Sequence, residues 1–211
     1  MPILTKAAAT ERRQELISIA ERLFLQQGYD NTTVKQIIGA MNLAKGTYYY
    51  HFRSKEDILI AVSDKLLSDT RQKLLEVHKQ REMDVLWRIR KMLRIFRDDF
   101  VRNRGIWKLI YHDNNVAMHK QVSKIGAKSF IPLLTDVLQE GKDKNLVHVP
   151  HARETAQVLI SLFDIFSLQF CVARGRDKSV RIFETLQYVI EQILGRDCFP
   201  DFGSPEEPGG K

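Results

Sequence analysis

Eight residues, Lys45-Gly46-Thr47-Tyr48-Tyr49-Tyr50-His51-Phe52, organise the chain around them. A cation is followed by a glycine that lets backbone approach closely, then by a hydroxyl, three tyrosines and a histidine. These are the groups with which proteins meet phosphates and base edges. Wound as one short helix, the i, i+3 and i+4 relations put Lys45, Tyr48, Tyr49 and Phe52 near one face. Thr47, Tyr50 and His51 then lie near another. One face can pack inward while the other is offered to a groove, so the run reads as a recognition helix.

Upstream, Leu16, Ile17, Ala20, Leu23 and Phe24 recur at helical spacing between Thr10 and Gln27, and Gly28 is placed to stop that helix in the left-handed conformation. Tyr29 and Asp30 turn the chain. Thr32 or Thr33 can cap a second helix, with Val34, Ile37, Ile38 and Met41 inward. Asn42 stands where that helix must break, and asparagine tolerates left-handed backbone better than most residues with a Cβ. Two helices across a tight turn, the second short and decorated with Lys, Thr, Tyr and His, make a helix-turn-helix. Downstream, Ser54-Lys55-Glu56-Asp57 fits a capping box before Ile58, Leu59, Val62, Leu66, Thr70 and Leu74, on a helix ending near His78. No flexible linker follows Phe52, which predicts a head joined stiffly to the next helix.

The rest is helical too. Val85, Ile89, Met92, Phe96 and Phe100 make one stripe, with the arginines between Arg88 and Arg102 expected on a solvated face. Gly105 is read as a break before a short piece from Ile106 to His112. A helix over 118–141 has Pro132 as a kink or boundary. Residues 153–173 are apolar on several faces, which predicts a helix covered all round. A last helix, 178–194, carries Phe183, Leu186, Ile190 and Ile193 on one stripe. With no alternating strand pattern, the fold class is all-α, with about nine helices. The boundaries read from the pattern are a helix-turn-helix head over 1–53, a larger helical ligand-binding and dimerisation domain over 54–196, and a disordered Gly/Pro/Glu-rich tail over 197–211.

Composition narrows the function classes. The chain has 211 residues, 44% hydrophobic, and a net charge of +7. Residues 1–55 carry eight Lys or Arg against four Asp or Glu, so more than half of that excess sits in the first quarter, as a polyanion-binding head requires. No apolar run reaches the roughly 18 residues of a membrane span, and the first residues lack the apolar segment of a secretory signal. The two cysteines, Cys171 and Cys198, give no disulfide framework and suit a reducing, cytoplasmic setting. No nucleophile elbow, Walker loop, dinucleotide fingerprint or HExxH occurs, so no cofactor and no enzymatic activity is expected.

At this point the first 57 residues resemble the TetR (tetracycline repressor) family of transcription regulators. The resemblance rests on the helix ending at Gly28-Tyr29, on Thr32-Thr33-Val34 and Ile37-Ile38, on the run from Asn42 to Phe52, and on Arg53-Ser54-Lys55-Glu56. The family usually has glycine where Asn42 stands and a small residue where Ile38 stands. The resemblance implies that Thr33, Lys45, Gly46, Thr47, Tyr49, Tyr50, His51 and Lys55 touch DNA; Lys35, outside that set, is either a further phosphate contact or simply solvated. Chemistry agrees: lysines neutralise phosphates on any sequence, Thr33 at a helix start offers hydroxyl and N–H, and Thr47 and Tyr49 can reach base edges. Tyr48 and Phe52 are assigned to the core of the head.

In the body, Trp107, Tyr111, His112, Phe163, Asp164, Phe166 and Gln169 are candidate ligand contacts, because pockets between helices are mainly aromatic with a few polar groups. Asp164, flanked by Phe163 and Ile165, must find a partner wherever it is buried. His112, Asp113, His119, His148 and His151 match no standard zinc spacing and are read as surface groups, so no metal is expected. The sequence predicts a repressor that binds a palindromic double-stranded operator as a homodimer, paired through its last two helices and released by a small-molecule effector. The alternatives are a DNA-binding regulator without inducer, and a helical enzyme or scaffold that ignores DNA.

Overall fold

A computed structural model describes residues 6–111, 116–173 and 176–195. The described residues form nine helices: α1 Lys6–Gln27, α2 Val34–Gly39, α3 Lys45–His51, α4 Lys55–Lys79, α5 Val85–Arg102, α6 Arg104–Ile110, α7 Val116–Asp143, α8 Ala152–Val172 and α9 Arg176–Leu194. No described residue lies in a strand, and no described helix is long and apolar enough to cross a membrane. By their internal contacts the residues form two compact units, Met1–Leu66 and Leu67–Lys211, so the division falls inside α4.

In the first unit each boundary has a local cause. Gly28 closes α1 at φ +83°, a conformation that L side chains rarely adopt. Thr33 then caps α2: its Oγ1 accepts the Gln36 amide at 3.2 Å, and the Thr33 amide donates back to Gln36 Oε1 at 2.7 Å. Thr32, the other capping candidate, is instead fully buried and donates to the Gly28 carbonyl at 2.7 Å. Asn42 takes φ +51° in the turn before α3. Ser54 Oγ accepts the Asp57 amide at 3.1 Å, and the Asp57 carboxylate turns back to the Arg53 amide at 3.0 Å, which starts α4. The core of this unit is Leu16, Ile17, Ala20, Ile37, Tyr48, Ile58, Leu59 and Val62.

In the second unit α7 and α8 pack along each other, with α5 on α7 and with α6 and α9 on α8. Pro132 lies inside α7 without dividing it. The break after α5 falls at Asn103, whose φ of −101° and ψ of 18° leave the helical range; Gly105 is already inside α6. Arg88 departs from the solvated face expected of the α5 arginines. It is fully buried, with Nη2 2.6 Å from Glu140 Oε1. Glu140 also meets Arg81 and Lys144, each at 2.8 Å, and Arg88 first, then Lys144, hold its carboxyl down at about 2. Position 88 lies one residue before Ile89 on the core stripe, and 100° per residue leaves it at the edge of that face. α8 is not covered all round within one chain, since Val158 and Ile165 are 50% and 57% exposed.

Candidate nucleic-acid interface and ligand cavity

The three tyrosines of α3 part ways. Tyr48 is fully buried and its hydroxyl donates to the Ser54 carbonyl at 2.9 Å, while Phe52 fills the core beside it. Tyr49 and Tyr50 are 47% and 75% exposed. Tyr49 therefore leaves the inward face on which its spacing from Lys45 and Phe52 had grouped it with Tyr48. A step of 100° carries each successive side chain to a new side, and on a helix this short only one tyrosine fits inward. Lys45 Nζ lies 5.7 Å from the Tyr49 ring centre. A Cβ built on Gly46 would meet nothing within 4 Å, so no packing inside the chain calls for a glycine there.

The remaining head residues sort by what holds them. Thr33, Lys35 and Lys45 are exposed, and Thr47 is half-buried. Lys55 donates to the Tyr29 carbonyl at 2.8 Å and lies 4.0 Å over the Tyr29 ring, which fastens the turn after α1. His51 is half-buried, its ring 4.8 Å from that of Tyr50 and its Nε2 without a partner among the described residues. Burial, then the charges of Arg13 and Arg12, push the His51 imidazole below its usual range, which keeps it neutral. The Arg13 guanidinium lies 5.1 Å over the Phe52 ring. Sequence reading counted Arg12 and Arg13 only in the charge of the head. Their place on α1, beside the end of α3, extends the basic surface beyond the recognition helix.

The second unit holds a partly open cavity of about 190 Å³, lined by residues from α4 to α8. Trp107, Tyr111, Phe163 and Asp164 line it, with Phe96, Phe100 and Phe130 adding further rings. Phe166 and Gln169, also expected there, do not. Ile160, Phe163, Asp164 and Ser167 form one i, i+3, i+4, i+7 stripe on the cavity. Phe166 falls beside that stripe, on a small cleft that Phe183 and Leu186 also line, and Gln169 is exposed. His112 and Asp113 lie outside the described residues. Asp164 accepts the Tyr111 hydroxyl at 2.7 Å and Ser123 Oγ at 3.1 Å, and His119 Nε2 stands 3.1 Å from its Oδ2. His119 is thus a partner of Asp164, where the sequence had suggested a plain surface histidine. His148 and His151 are exposed, and no cluster of three potential metal ligands occurs among the described residues.

Residues 16–62 match the family model for bacterial regulatory proteins of the tetR family. The HTH-type transcriptional repressor NemR of Escherichia coli is 25% identical over 198 residues, which is 90% of this chain and 96% of that protein. The chain carries a tetR-family region over residues 16–62. A second relative, the HTH-type transcriptional regulator AcrR of Shigella flexneri, is 31% identical, but the match spans only about half of each protein, 51% of this chain and 52% of that one. In fold, the chain is similar to Thermus thermophilus FadR, a TetR-family repressor solved in complex with lauroyl-CoA, at a TM-score of 0.65 and 18% identity over 94% of this chain and 100% of that one. The family match includes α2, α3 and the start of α4, the stretch in which the tyrosine run stands.

Proposed function

We propose that the chain is a repressor that binds a palindromic operator as a homodimer and leaves it when a small molecule enters the α4–α8 cavity. The observation that carries the DNA reading is the open side of α3: two exposed tyrosines, Lys45, and a glycine that the fold itself does not need. Lys35, Lys45 and the Arg12–Arg13 pair supply charge for phosphates, which strengthens binding on any sequence. Thr47 and Tyr49 supply contacts that depend on the bases, and Tyr50 a phosphate contact. Thr33 and His51 stand at the edges of this surface, and Lys55 works through the Tyr29 turn.

One recognition helix is too small to specify a site, so two copies related by a two-fold axis read two half-sites. The exposed Val158 and Ile165 on α8 and Tyr188 on α9 are the apolar surface that pairing of the last two helices would cover. NemR is named a repressor, and the FadR structure holds lauroyl-CoA, which supports reading the cavity as an effector site. Leu67 and Thr70 of the cavity belong to the same continuous helix that begins at Lys55. An effector that displaces them acts on that helix, and a coupling of about 1–3 kcal/mol lowers operator affinity several-fold to a hundredfold. A regulator of this kind works in the cytoplasm, on DNA.

The test is fluorescence anisotropy with duplex DNA from upstream of the protein's own gene. Expected is salt-dependent binding by a dimer, abolished by Lys45→Ala with Tyr49→Ala. A protein that stays monomeric and ignores duplex DNA at low ionic strength overturns the reading.

A further inference from the structure

Two carboxylates line the cavity, and their surroundings differ. Asp99 accepts Thr70 Oγ1 at 2.9 Å and faces two cations, Lys73 Nζ at 2.5 Å and Arg102 Nη1 at 3.4 Å. Its charge is matched within the chain. Asp164 is held by Tyr111, Ser123 and His119, and no lysine or arginine forms an ion pair with it among the described residues. The first two are neutral donors, and the imidazole is a cation only when protonated. Burial, followed by the charge of Asp164 and its hydrogen bond, holds the Tyr111 hydroxyl far above the usual tyrosine range, so that this donor stays neutral. The Asp164 side chain is 32% exposed, reachable from the cavity rather than sealed away.

A carboxylate facing an apolar space favours a positive partner, because its charge is costly to desolvate with neutral donors alone. The rest of the lining favours the same sign. Phe96, Phe100, Trp107, Phe130 and Phe163 surround the space, and aromatic faces attract cations. An anion would meet Asp164 with like charge. A neutral molecule would compete for nothing that Tyr111 and Ser123 do not already supply. The cavity volume of about 190 Å³ suits a compact molecule.

We propose that the effector of this cavity is a compact aromatic or apolar molecule carrying one protonated nitrogen, and that the Asp164 carboxylate receives that nitrogen. The claim rests on the reading of the cavity as the effector site. On binding, the nitrogen takes over carboxylate lone pairs now shared by Tyr111 on the α6 cap, Ser123 and His119 on α7. The ligand would therefore loosen the tie that Asp164 makes between the ends of α6 and α7.

The test uses three probes of one size and three charges: 1-naphthylmethylamine, protonated at neutral pH, 1-naphthylmethanol and 1-naphthoate. Each is titrated calorimetrically into the full-length protein and into D164N. In the wild type the amine is expected to bind about tenfold tighter than the alcohol, with the naphthoate weakest. In D164N the amine should lose that advantage while the alcohol keeps its affinity. An alcohol or naphthoate that binds the wild type as well as the amine overturns the charge preference. An amine preference that survives in D164N removes Asp164 from the site. Failure of all three to bind the folded wild type sinks the effector reading itself, a result distinct from binding without preference. If D164N does not fold, the wild-type ranking still decides, because it needs no variant.

Discussion

Head and body put aromatic side chains to opposite uses. In α3, one ring of three is sunk in the core, and Tyr49 and Tyr50 stand out at 47% and 75% exposure beside Lys45. In the body, Phe96, Phe130 and Phe163 stack edge-on and tilted at ring separations of 5.0 and 5.4 Å around a space that holds no ring of its own. A recognition surface works by what it leaves uncovered, so its chemistry resides in consecutive residues. A cavity works by what it leaves unfilled, so its chemistry resides in residues from five helices. The two regions therefore respond to mutation in different ways.

The largest expected effect separates neighbours within α3. Tyr48→Ala empties a fully buried position and leaves the Ser54 carbonyl without its donor, and should cost about 3–5 kcal/mol in urea unfolding of the full-length protein. Tyr50→Ala, two residues on, should change stability by no more than about 0.5 kcal/mol. If the two variants unfold alike, α3 does not divide into a buried and an offered side, and the contrast with the cavity fails.

The second effect concerns binding with stability unchanged. Lys45→Ala and Tyr49→Ala are each expected to weaken operator binding by about 1–3 kcal/mol in anisotropy titrations, with the thermal midpoint hardly moved. Lys55→Ala should behave otherwise. Because Lys55 holds the Tyr29 carbonyl and ring, its loss should lower the midpoint as well as the affinity. A Lys55→Ala protein of normal stability but poor affinity would make Lys55 a direct phosphate contact instead.

What the sequence disclosed follows from the same contrast. A threonine cap at Thr32 or Thr33, the Asn42 turn and the Ser54 start were legible because each is a contract among residues three or four apart. So was the short helix α3, with Tyr48 and Phe52 assigned to the core and Tyr49 to the open side. In the body, helix positions followed from periodicity, but partners did not. Ser123 and His119 reach Asp164 from 41 and 45 positions away, and no spacing rule links them. The stripe Ile160, Phe163, Asp164, Ser167 was available and would have excluded Phe166 and Gln169. Composition drew attention to those two in place of angle. Arg88 was misplaced for a related reason: an arginine beside other arginines reads as surface until Glu140, fifty-two positions later, is found against it.

That ion pair supplies a third, smaller effect. The Glu140 carboxyl is held near 2 against an ordinary value of 4.5. A group depressed on folding contributes stability that is complete above its unfolded value and is lost as pH falls through its folded one. Stability should therefore decline between about pH 4.5 and pH 2, and Arg88→Met should flatten that decline, measured by urea midpoints at stepped pH. An unchanged acid limb would mean that Lys144 and Arg81 alone set the Glu140 charge. Head surface mutations such as Tyr50→Ala should leave the limb as it is.

The smallest effect tests how far the offered surface extends. Arg13 lies on α1, not on the recognition helix, and its guanidinium covers the Phe52 ring while its charge reaches His51. If it also meets a phosphate, Arg13→Ala should weaken binding to operator and to unrelated duplex alike, by several-fold, because a phosphate contact carries no sequence information. The slope of log affinity against log salt should shrink by about 1. Lys45→Ala should shrink it by a similar amount, whereas Tyr49→Ala should leave the slope unchanged while lowering affinity for operator only. A salt slope insensitive to Arg13 would confine the interface to α2 and α3 and leave Arg13 the structural task of covering Phe52. Either slope measures how much of the head works by charge and how much by the uncovered rings that set it apart from the body.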